Sequence, residues 1–177
     1  MPLKSTTDEF GRLAQIFHWI SAILIVLMVP MGFAMQNIDN ETTKVMIYQI
    51  HAVIGIAVLL LTIARVIWKR IDINPDLPPG FSPLHAIGFK AVHFLLYTVL
   101  LVLAASGIGI LAISELGDTL FGSQTAIIPQ GLGDLPPRQA HGIMARLFIA
   151  LFIAHVGGVL LHQFTKSNVL ARMGWKR

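Results

Sequence analysis

Seven histidines, at positions 18, 51, 85, 93, 141, 155 and 162, are the ligand-forming side chains of this 177-residue chain, which has no cysteine. The missing thiol removes disulfide scaffolds, thiolate zinc sites, iron–sulfur clusters, covalent c-type haem attachment and a thiol nucleophile. His141 and His155 stand 14 positions apart. On a helix that interval falls about 40° short of four whole turns and separates the rings by about 21 Å along one face. One helix can therefore present two imidazoles to the same neighbours at two depths. Matched by imidazoles from other helices, each can fill one axial position of a planar metal macrocycle, which is how b-type haem is held. With both axial positions filled, such a haem suits electron transfer rather than oxygen binding.

The elements that must position these rings are membrane helices. The chain is 55% hydrophobic and 12% charged, with mean hydropathy +0.72, whereas a soluble domain carries about 25% charged residues. Four stretches free of Lys, Arg, Asp and Glu, at 13–35, 45–64, 91–114 and 147–165, match the roughly 20 residues a helix needs to cross a bilayer. Their apolar runs are continuous rather than alternating, which decides for helices over barrel strands. The fourth span extends back to Gln139 and carries Arg146 within it. The expectation is one all-α membrane domain over 1–177, an antiparallel four-helix bundle with spans at 13–35, 45–68, 88–113 and 139–163. Outer loops cover 37–44 and 114–138, a proline-broken cytoplasmic loop covers 69–86, and a cytoplasmic tail covers 165–177. Leu120, Phe121, Ile127 and Ile128 in the longer outer loop predict a short interfacial helix. The first span is longer than a signal peptide's apolar region and lacks a small-residue cleavage site, so it reads as a retained span.

Ten of the thirteen Lys and Arg fall on one side of this layout, against Lys44 and Arg138 on the other. That asymmetry sets both termini in the cytoplasm. It also accounts for the net charge of +4 and pI of 9.8 without nucleic acid as a partner. Alternating spans then sort the histidines by depth. His18 opens the first span and lies level with His155; His51 opens the second and lies level with His141. Two depth-matched pairs follow, although His93, near the cytoplasmic end of the third span, competes with His18. Interhelical hydrogen bonding or interfacial solvation would suffice for any one of these histidines alone. His162, one heptad past His155, is a candidate for hydrogen bonding a quinone head group. His85 reads as a solvated loop residue. Arg12 and Arg65 at the cytoplasmic edge, and Arg146 past His141, are candidates for pairing haem propionates, with membrane topology as the competing reason for the first two. Gly55, Gly142, Gly157 and Gly158 offer room for a macrocycle or for plain helix packing. Trp19, Trp68 and Trp175 read as interfacial belt residues.

RLxxxxHW at Arg12–Trp19, IHAVIG around His51, VHFLLY at His93, AHG at His141, AHVGGVLLHQF around His155 and NVLARM at Asn168–Met173 together resemble the bacterial cytochrome b561 family over nearly the whole chain. The resemblance implies a four-helix protein of the bacterial inner membrane with two haems b, which passes electrons across the bilayer and exchanges them with quinone. Carried over by position, it implies His18 with His155 as iron ligands of the cytoplasmic haem and His51 with His141 as those of the outer one. That carry-over favours His18 over His93 and leaves the role of Arg146 open. It further implies a quinone-linked oxidoreductase, with superoxide as one candidate electron donor.

Other functions compete with this one. A haem-bearing anchor subunit of a larger dehydrogenase or hydrogenase would carry the same ligands, and a homodimer is compatible with the sequence. A haem-free, histidine-lined transporter is disfavoured by four spans without internal repeats. No paired carboxylates, metal-ligand motif or phosphate loop points to hydrolytic chemistry.

Overall fold

A computed structural model of the chain describes residues 2–77, 81–122, 127–165 and 168–175. It contains α1 (Arg12–Ala34), α2 (Glu41–Ile71), α3 (Pro83–Ile113), the six-residue α4 (Leu116–Phe121) and α5 (Pro136–Thr165). No strand occurs among the described residues. The four longer helices are each long and apolar enough to cross a membrane, so the fold is an all-helical membrane bundle. At 30 or 31 residues, α2, α3 and α5 extend about 45 Å, past a hydrocarbon core of about 30 Å.

The helices α2, α3 and α5 start earlier than the charge-free runs predict, and capping explains the first two. The Asn40 side chain accepts from Thr43 N at 2.9 Å and opens α2. Ser82 accepts from His85 N at 3.3 Å, and Pro83 supplies a first-turn residue whose missing N–H costs nothing there. α3 therefore begins at 83 rather than 88, and His85 lies on its first turn instead of in a loop. α5 begins at Pro136 rather than 139.

The helices pack as α1 on α2, α2 on α3 and α3 on α5, while α5 makes no comparably close approach to α1 or α2. A seam thus runs between α5 and the α1–α2 pair. Neighbours are antiparallel: Arg65, late in α2, meets His18, early in α1, and Gly107, late in α3, meets His141, early in α5. Ile25, Val58, Val99 and Phe148 form the central core, and Ile23, Leu60, Phe94 and Ile153 are among many apolar side chains left facing outward. The buried hydroxyls of Ser21 and Thr62 each donate at 2.7 Å to the carbonyl one turn back, so neither leaves an unpaired polar group in an apolar interior.

The two ends of the bundle are closed differently. At one, α4 buries Leu116 and Leu120 against Val45 and Ile110, and Gln49 Nε2 donates to Leu120 O at 2.6 Å. The short helix expected on the membrane surface therefore caps α2 and α3; Phe121 and Ile127 remain exposed, and Ile128 packs against the cap. At the other end, segments 2–11 and 168–175 are knitted to the start of the loop after α2. Asp72 accepts from Ser5 Oγ at 2.6 Å, and Arg172 donates to the carbonyls of Asp8 and Asp76, each at 2.6 Å. Trp19 Nε1 donates to Met173 O at 2.9 Å, and its ring lies 5.9 Å from that of Trp175. The tail turns at Gly174, whose φ of +88° favours glycine. Lys166, Lys176 and Arg177, three of the charges behind the expected orientation, lie outside the described residues.

Candidate functional site

Four of the histidines meet in two pairs across the seam. His18 on α1 and His155 on α5 have ring centroids 6.3 Å apart with planes at 66°. His51 on α2 and His141 on α5 stand 6.3 Å apart at 65°. Two metal–imidazole bonds of about 2.0–2.1 Å, each extended by about 1.1 Å to its ring centre, put the centroids of trans ligands about 6.3 Å apart. Both pairs have this separation where the helix backbones stand off, which is the room a flat macrocycle needs. No group of three or more His, Cys, Asp or Glu converges on a metal position among the described residues. Two protein ligands per site fit a metal whose remaining ligands belong to the cofactor itself.

At the α4 end, His141 is oriented by α3. Its Nδ1 lies 3.1 Å from Leu103 O and 3.0 Å from Ser106 Oγ, and the Ser106 hydroxyl donates its own proton to Leu103 O at 2.8 Å. Both neighbours can only accept from the imidazole, so the proton sits on Nδ1 and Nε2 keeps its lone pair. Gly107 lies beneath this ring and Gly32 beneath that of His51; a Cβ at either would sit 3.6 Å from Cε1. His51 Nδ1 is buried without a hydrogen-bond partner among the described residues. The Arg138 guanidinium acts electrostatically on Tyr48, His51 and His141.

At the other end, Arg65 Nη2 donates to His18 Nδ1 at 3.1 Å, with its guanidinium 5.3 Å over the Tyr97 ring and Lys69 Nζ at 5.9 Å. A mostly apolar cavity bounded by His18, Ile25, Arg65, Tyr97, Phe148 and His155 opens here. His93 comes to the same end, but its ring touches that of His155 at 4.9 Å, edge-on at 88°, and its Nδ1 donates to Phe89 O at 2.7 Å. The gap suited to a metal lies at His18; His93 is in ring contact.

His162 stacks on Phe81 at 4.4 Å and 18°, with His85 edge-on at 5.6 Å. The remaining arginines lie apart from the pairs. Arg12 is exposed on the first turn of α1, and no polar contact ties its guanidinium to a histidine among the described residues. Arg146 is exposed and shares the space over Gly142 with Arg138. Of the glycines expected against a macrocycle, Gly55 faces Met28, while Gly157 and Gly158 face open space. Sequence reasoning missed Ser106, Arg138, Gly32 and Gly107. Ser106 alone left a trace, as a hydroxyl interrupting the apolar run of α3 and followed by glycine.

Comparison with known proteins matches this geometry. The family model for prokaryotic cytochrome b561 fits residues 9–176. Cytochrome b561 homolog 2 of Escherichia coli K12 is 28% identical over 182 residues, covering 98% of this chain and 95% of that protein. A protein of Yersinia pestis named probable superoxide oxidase CybB is 26% identical over 160 residues, covering 88% of this chain and 90% of that one. With four membrane-length helices and imidazole pairs spaced for axial ligation, the chain belongs to the prokaryotic cytochrome b561 family, the b-type cytochromes of bacterial membrane electron transfer.

Proposed function

We propose that the chain binds two haems b, one between His18 and His155 and one between His51 and His141, and carries electrons through the membrane in exchange with quinone. The observation that carries this reading is the twin 6.3 Å spacing, repeated at two levels of α5 about 21 Å apart. Held there by these four histidines, haem b would supply one-electron transfer. The rest is the work of the chain. Leu103 and Ser106 hold His141 in the tautomer that leaves Nε2 to a metal. Arg65 now donates to His18 Nδ1, but an imidazole that gives Nε2 to iron carries its proton on Nδ1 and no longer accepts there. The guanidinium is then released to a carboxylate, and a haem propionate is one. Phe148, seven positions from each α5 ligand and 4% exposed, keeps water out of the interval.

The excess of Lys and Arg at the end formed by segments 2–11 and 168–175 supports a cytoplasmic location for that end. There His162, stacked on Phe81 beside His85, offers a flat ring and a hydrogen-bonding nitrogen to a quinone head group. The Yersinia pestis relative, named a probable superoxide oxidase, supports superoxide as electron donor.

A pyridine haemochrome assay on the detergent-purified protein tests the ligation. Wild type is expected to carry two haems b per chain, and His51→Ala and His155→Ala one each. A folded wild-type chain without haem would sink the redox reading. The exchange reaction is tested by superoxide-dependent reduction of a water-soluble ubiquinone analogue, which is expected to slow in His162→Ala while haem content stays at two.

A further inference from the structure

Beside the His51–His141 pair, on the lipid-facing flank of α5, Gly133, Arg138, Gln139, Gly142, Ile143 and Arg146 line an open cavity of about 430 Å³. Arg138 and Arg146 sit one turn to either side of Gly142, and their Nη1 atoms lie 3.5 and 3.9 Å from the position a Cβ would take there. The two cationic groups are thus at most about 7 Å apart. No carboxylate pairs with either among the described residues, where the single ion pair is Lys44–Glu41. Two converging guanidiniums without a counter-charge repel each other, and an oxyanion between them turns that repulsion into two charge-assisted contacts.

The direction and depth of the cavity identify the anion. At 100° per residue, Arg138 lies about 60° around α5 from His141 while Gln139, Gly142, Ile143 and Arg146 lie about 100–200° around it, so the groove runs from the flank of the histidine pair, where Arg138 acts on His51 and His141, out toward lipid. Gly142 lies about 9 Å from the start of α5, which overhangs a hydrocarbon core of about 30 Å by about 7 Å at each end when centred. The cavity is therefore at the hydrocarbon boundary, directly beneath the lipid headgroups. Arg146, a turn deeper, reaches back up to that level along its own aliphatic stem. Below the arginines, Ile143 and Leu147 are 53% and 43% exposed on the same side of the helix, an apolar track for an acyl chain.

We propose that Arg138 and Arg146 hold the phosphate of an anionic phospholipid over Gly142. The shared chemistry is a phosphate oxyanion, and the two sources, lipid and free phosphate, are separated by experiment. Delipidated holoprotein in detergent is titrated with dioctanoyl phosphatidylglycerol or with inorganic phosphate, and bound adducts are counted by native mass spectrometry. One phosphatidylglycerol per chain is expected on the wild type. Affinity should fall about fivefold in Arg146→Gln and about twenty-five-fold in Arg138→Gln/Arg146→Gln, taking each arginine at about 1 kcal/mol. Equal binding by wild type and double variant would overturn the site. Saturation by inorganic phosphate at the same concentration would overturn the lipid as its occupant. Loss of haem from Arg146→Gln would reassign that arginine to a propionate.

Discussion

The two imidazole pairs have the same separation but are held by different means. At the α4 end, His141 is fixed by neutral acceptors of α3, a backbone carbonyl and a hydroxyl. Neither has to move for Nε2 to take a metal. At the other end, His18 is held by the guanidinium of Arg65, a long side chain resting over Tyr97, beside a cavity and the ring of His93. Its present partner has to let go when the nitrogen changes role. The first site is built in advance by regular helix, whereas the second completes itself with a movable charge. The movable one neighbours the Phe81–His85–His162 cluster where quinone exchange is proposed, so the adjustable end is the one with a partner to accommodate.

The comparison breaks most completely through α5, which gives one imidazole to each pair. His141→Ala/His155→Ala is expected to yield a helical chain without haem, read by the Soret band alongside far-ultraviolet circular dichroism. Next comes Arg65→Gln, which removes a cation from one pair alone. At about 7 Å and an effective dielectric constant of about 20, that charge is worth about 2 kcal/mol, or roughly 100 mV for one electron. Losing it should lower the potential of the His18–His155 haem and leave the other unmoved in a redox titration. Ser106→Ala should act on the opposite haem, with opposite sign. Weakening the hydrogen bond from Nδ1 makes the imidazole less basic and raises the potential, by up to about 40 mV for a bond worth about 1 kcal/mol. A shift of both haems together in either variant would deny that the ends are tuned separately.

A smaller effect tests how the non-α4 end is closed. Burial alone would raise the Asp72 carboxyl, but bonds from the Ser5 hydroxyl and amide outweigh it and hold the group below its ordinary value. A depressed folded value means the contact contributes fully above the usual carboxylate range, about pH 4. That contribution is lost as pH falls through the lowered value. Protection of the 2–11 segment from hydrogen exchange, relative to the intrinsic rate at each pH, should therefore hold through pH 5 and fall only in stronger acid. Ser5→Ala should move that onset toward higher pH.

Much of this molecule is legible in its sequence because lipid imposes harsh rules. Charge-free runs of 19 to 24 residues leave few alternatives to helices, and 14 positions between two histidines fix a shared face whatever surrounds them. Rotation of one helix about its axis relative to the next is not written so openly. It is set by packing across the whole bundle, which is why Gly32 and Gly107 lie under the rings instead of Gly157 and Gly158. The contest between His18 and His93 turned on the same unknown, since both reach one depth and differ in the gap left to His155. Arg138 was hidden for another reason. Its position reads as a loop charge until Pro136 is seen to start α5, which sets it on the flank of the His51–His141 pair.

Because His141 and His155 share one uninterrupted helix, α5 acts as a ruler. Movements that widen or narrow the seam change the gap within each imidazole pair but leave the interval between the two levels unchanged. That interval is set by 14 residues of covalently continuous backbone. Adding one residue between them would swing one ring about 100° out of line with the other, while adding seven would restore the face to within about 20° but carry one ring about 10 Å from the level of its partner. Loop lengths are free of this constraint, but in α5 the 14-residue interval has to match both the face and the levels set by His18 and His51.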